Sequence, residues 1–88
     1  MYLDKLKALY DEAYRAEQMI ESHKKLLEEA YDDHKKAFDS NDQDTMEFIA
    51  QYISDMQREL TMFETSLERI KIKIERLKAQ QGDNNANK

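Results

Sequence analysis

His23 and His34 are the residues best suited to chemistry in a chain that has no cysteine. They stand eleven residues apart, which on one helix is three turns or ~16 Å. One metal ion therefore cannot be held by both within a single chain. The Glu-x-x-His pattern of di-iron bundles is absent, because Ile20 and Tyr31 occupy the positions three before the histidines. Both histidines fall on an apolar stripe. The expectation there is a partly buried imidazole that finds a hydrogen bond, or one whose charging loosens the packing below pH ~6.5.

The stretch Asp39-Ser40-Asn41-Asp42-Gln43-Asp44-Thr45 is the second place to look for chemistry. Aligned on the twelve-residue calcium loop from Asp39, Asn41 and Gln43 fall at the third and fifth ligand positions. Asp44 then stands where a glycine is required, and Ala50 where the bidentate glutamate belongs. The match fails at its two most demanding positions, so a turn with helix caps is the better reading. Ser22 and His23 are sequence neighbours that point to different sides of a helix, so they make no nucleophile–base pair. The single glycine, Gly82, lies far from any strand-to-helix junction, and no phosphate loop is present. No catalytic residue, cofactor or metal is expected, and the chain is read as not being an enzyme.

The elements that carry these residues are helices. Charged residues make up 38% of the 88, hydrophobic residues 40%, and there is no proline. That composition belongs to long helices and coiled coils. In the second half, Met46, Ile49, Ile53, Met56, Leu60, Phe63, Leu67, Ile70, Ile74 and Leu77 alternate spacings of three and four without a miss. This is the a/d seam of a heptad held for more than four repeats. In the first half, Leu6, Leu9, Ala13, Ala16, Ile20, His23, Leu27, Ala30, His34 and Ala37 keep the same spacing. Leu3, Tyr10, Met19, Leu26, Tyr31 and Phe38 widen that stripe beyond a strict a/d seam, as contact with more than one helix requires.

The two runs are out of phase. Ala37 at d and Met46 at a are nine residues apart where a continuous heptad needs four, and the five extra residues fall within the acidic stretch. The reading is therefore a helix over about 2–39, a loop over about 40–44 and a helix over about 45–80. Together these form one domain over 1–80, followed by a disordered polar tail over 81–88. Either Asp42 or Asp44 caps the second helix; if Asp44 does, Glu47 completes a capping box. Folding the chain back pairs Ala37 with Met46, His34 with Ile49, and so on to Leu6 with Leu77. Each of these ten layers joins an a to a d residue. The predicted fold is all-α: an antiparallel helical hairpin, a two-helix coiled coil that dimerises into a four-helix bundle. Across that hairpin Glu12 would meet Lys73 favourably and Glu17 would meet Glu64 unfavourably. Such exposed pairs are too weak to set the register.

Charge bounds the function. The net charge of −5 disfavours nucleic acid as a partner. Eight acids lie between Glu28 and Glu47 against Lys35 and Lys36, whereas between Arg69 and Lys78 the bases Arg69, Lys71, Lys73, Arg76 and Lys78 stand against Glu75 alone. No apolar run approaches the ~20 residues that span a bilayer, so no membrane partner is expected. The opening Met-Tyr-Leu-Asp-Lys lacks a basic and apolar leader, and a cytoplasmic protein is the expectation. Tyr31, Phe38, Phe48 and Tyr52, with Asp39, Asp42 and Asp44, form the candidate partner-binding set at the loop end. Two functions remain open. One is a self-associating interaction module serving as scaffold or adaptor, a homodimer. The other is a small acidic regulatory binder or inhibitor, of the kind a phage or mobile element encodes, docking on a basic or apolar groove of another protein.

Overall fold

The computed structural model describes residues 1–86, and side chains through residue 81. Two helices, α1 (Tyr2–Asp39) and α2 (Gln43–Ala86), pack against each other as an all-α hairpin. The molecule is a rod of 71 × 14 × 14 Å.

The seam read from the heptads is the interface between the helices. Every one of the ten α2 seam residues from Met46 to Leu77 is buried or half-buried, and every other α2 side chain from Gln43 to Gln80 is exposed. On α1 the ten seam residues are covered in the same way, joined only by half-buried Tyr2. Four alanines, Ala13, Ala16, Ala30 and Ala37, are among the most buried residues. Their small side chains allow close approach of the helix that carries Met56 and Ile74. Among the described residues no large side chain is fully enclosed, because two helices alone cannot surround a residue on all sides.

Contacts between the two helices agree with the predicted layers. The buried His23 reaches both Glu59 and Phe63 on α2, which bracket its layer mate Leu60. Tyr31 accepts a hydrogen bond from Gln57, and Lys78 lies over the Tyr10 ring. Helical side chains lean toward the helix N-terminus, so Tyr31 and Tyr10 reach one layer back along α1, to the Leu27–Met56 and Leu6–Leu77 levels. Among the described residues the one side-chain salt-bridge contact between the helices is His23–Glu59 at 2.9 Å, so the expected Glu12–Lys73 pair is not closed.

Three residues make the reversal. Ser40 ends α1, and Asn41 adopts the left-handed conformation at φ 57°. The Asp42 N–H donates to the Ala37 carbonyl (2.9 Å) and the Asn41 N–H to the Phe38 carbonyl (3.1 Å). These are the two bonds of a Schellman motif, with asparagine filling the position usually held by glycine. Asp42 then caps α2: its carboxylate accepts from the Thr45 N–H (3.2 Å) and the Thr45 hydroxyl (2.6 Å). Of the two cap candidates it is therefore Asp42 that acts, and the loop is 40–42, shorter than the expected 40–44. At the other end α2 runs through Gly82 to Ala86 and does not stop near residue 80. Gly82 keeps a negative φ, so the left-handed turn that would end the helix does not form. The part of the expected tail at residues 87 and 88 lies outside the described residues.

Candidate functional site

The heptad gives the rod two long flanks. Residues one after a d position (e) lie on one side of the seam with the b positions. Residues one before an a position (g) lie on the other with the c positions. In an antiparallel pair e faces e and g faces g. Tyr10, Tyr31, Gln57 and Lys78 are all e residues, and their contacts across the seam define the first flank.

The g/c flank carries the surface relief. A shallow groove of about 230 Å³ near the turn is lined by Leu26, Ala30, Phe48, Ile49 and Tyr52, with Glu29 and Asp33 on its rim. At mid-rod, Met19, His23, Met62 and Phe63 line another of about 370 Å³. Toward the open end, Ala8, Leu9 and Leu77 form the floor of a third, rimmed by Lys5, Lys73 and Arg76. All three are open troughs that expose the d residues of both helices. None is the enclosed pocket that buries a small substrate.

The four aromatic residues expected at the loop end are all exposed, but the structure divides them between flanks. Phe48 and Tyr52 share the groove with Leu26. Tyr31 and Phe38 are e residues, and Tyr31 is tied to Gln57 on the opposite side. The acids divide by role. Asp42 is engaged with Thr45, and the two bonds that Thr45 donates, side chain first and then backbone, hold its carboxyl below the ordinary 3.8. Asp39 and Asp44 are exposed at the ends of α1 and α2. Met19, Leu26 and Met62 were not in the expected set, yet each stands exposed on the flank of Phe48. Their c and g positions were the signal that would have found them.

Among the described residues, His23 is the one buried polar residue. Its Nδ1 lies 2.9 Å from the Met19 carbonyl oxygen and its Nε2 2.9 Å from a Glu59 carboxylate oxygen, while its ring meets Phe63 edge-on with centroids 5.1 Å apart. A carbonyl only accepts, so Nδ1 carries a hydrogen. Of the two expectations for this residue, the buried imidazole that finds a hydrogen bond is the one seen at His23. His34 is half-buried further along the same helix. Among the described residues, no three histidine, aspartate or glutamate side chains gather as a metal site requires, and no helix is long and apolar enough to cross a membrane.

No protein family, curated protein or solved structure matches this chain.

Proposed function

We propose that this chain is a non-enzymatic protein–protein interaction module, a helical hairpin that self-associates and serves as a scaffold or adaptor. One observation carries the reading: Met19, Leu26, Phe48, Tyr52 and Met62 line up exposed along one flank, around troughs that open onto the seam. Contiguous apolar surface on so thin a rod marks a contact face. Covering it with a second hairpin completes a four-helix bundle, in which seam residues half-open to water become enclosed. Sedimentation equilibrium of the pure protein tests this. The expected mass is twice that of the chain, falling to the chain mass in Phe48→Glu. A monomeric parent protein refutes it.

The acidic turn end supports a second reading, a regulatory binder of a basic or apolar groove in another protein. Under that reading the pure protein is monomeric, and Phe48→Glu or Tyr31→Glu abolishes capture of the partner without changing the chain's own mass.

A further inference from the structure

We infer that the occupant of the g/c flank is a second copy of this chain lying antiparallel, turn end against open end. Phe48 of each copy then seats in the Ala8–Leu9–Leu77 trough of the other. This rests on the self-association reading and specifies its geometry.

Charge sets the direction. On the g/c flank the open half carries Lys5, Arg15, Arg69, Lys73 and Arg76, with Glu12 as the one acid. The turn half carries Glu29, Asp33, Asp55, Glu59 and the capping Asp42, with Lys36 as the one base. The flank is therefore positive at one end and negative at the other. The e/b flank has no such polarity: its α1 half carries Lys7, Glu17 and Glu21 toward the open end and Lys24, Glu28 and Lys35 toward the turn, both signs in each half. Parallel stacking of two g/c flanks sets like charges together along the whole rod, whereas antiparallel stacking pairs acids with bases at both ends.

Relief sets the register. Counted from the turn, Phe48 lies beside the second of the ten seam layers, and the trough floored by Leu9 and Leu77 lies at the ninth and tenth. The Met19–Met62 trough lies at the fifth and sixth, the midpoint. A two-fold axis through this central trough carries the second layer onto the ninth. It thus brings Phe48, 76% exposed, over a trough whose rim is Lys5, Lys73 and Arg76. The same operation sets Glu29 and Asp33, on the rim beside Phe48, against those cations. Met19 and Met62 meet their own copies at the axis, where a flexible thioether adapts to self-packing. One symmetric contact thus uses each feature of the flank twice. The face measures 71 by 14 Å, on the order of 1,000 Å² in projection, against the ~800 Å² per partner of a standard stable interface.

The absence of cysteine makes the test direct. Phe48→Cys, Arg76→Cys and Met62→Cys proteins are prepared, checked for helicity by circular dichroism and for mass by sedimentation, and oxidised. The expected result is a disulfide-linked dimer from the equimolar Phe48→Cys and Arg76→Cys mixture, and from Met62→Cys alone, with none from Phe48→Cys alone. A dimeric mass with cross-linking in Phe48→Cys alone, or with none in the mixture, overturns the antiparallel geometry and leaves self-association standing. A monomeric mass overturns self-association itself.

Discussion

Leu26 and Leu27 are adjacent and chemically identical, and the structure assigns them different work. Leu27 is 6% exposed in the seam, while Leu26 is 40% exposed on the g/c flank. Truncation to alanine removes three carbons, about 2.4 kcal/mol of burial at ~0.8 kcal/mol each. Scaled by burial, Leu27→Ala loses about 2.2 kcal/mol in transfer and rather more once the void left between the helices is included, about 2.5–3.5 kcal/mol. Leu26→Ala loses about 1.4 kcal/mol and leaves no void, since its side chain borders open solvent. A domain of this size holds on the order of 4–13 kcal/mol in all, so the first change removes a large share of the stability. Urea unfolding followed by far-ultraviolet circular dichroism reads both, at two protein concentrations. The Leu27→Ala penalty is the larger at either concentration. If the hairpin self-associates as proposed, the Leu26→Ala penalty shrinks on dilution. Equal penalties for the two variants refute the sidedness of α1.

The turn gives two further predictions. Asn41→Val forces a β-branched residue to φ 57° and costs about 1–2 kcal/mol in urea unfolding, whereas Asn41→Gly is close to neutral. The Thr45 bonds that depress the Asp42 carboxyl stabilise the fold above its ordinary value of 3.8. That contribution is lost as pH falls through the lowered folded value, because the unfolded state then takes up its proton first. Asp42→Ala therefore lowers the urea midpoint at pH 7, and the difference from the parent narrows in acid; a difference that widens in acid refutes the cap assignment. At the seam, a double-mutant cycle with His23→Leu and Glu59→Ala shows a favourable coupling of about 0.5–1 kcal/mol in urea unfolding, because Nε2 lies 2.9 Å from the Glu59 carboxylate. Additive effects of the two changes refute that contact.

The hairpin was legible because its signal is periodic. Spacings of three and four name the covered residues without any knowledge of the partner helix, and the five-residue phase break between Ala37 and Met46 marks where the chain must reverse. The chemistry of the turn was less legible. Asn41 works through one backbone angle, and whether Asp42 or Asp44 caps depends on where α1 stops, which local composition leaves open. The His23–Glu59 contact was hidden for a different reason. It joins a d residue to a g residue of the other helix, so it depends on how side chains lean as well as on the register. The division of Tyr31 and Phe38 from Phe48 and Tyr52 was legible in principle from the heptad positions. Closeness to the loop drew the four together, but the angle around a helix matters as much as the distance along it.

Asp42 closes the Schellman motif of α1 and caps α2, so no spare residue separates the two helices. Folding inherits a direction from this. Cross-helix contacts are separated by 26 residues at Tyr31–Gln57, by 36 at His23–Glu59 and by 68 at Tyr10–Lys78. Once the turn has formed, each layer closes beside one already closed and adds little loop entropy. Contact order thus favours zippering from Asn41 toward the open end. The expected native-state opening runs the other way, with amide exchange faster near Leu6 and Leu77 than near the turn.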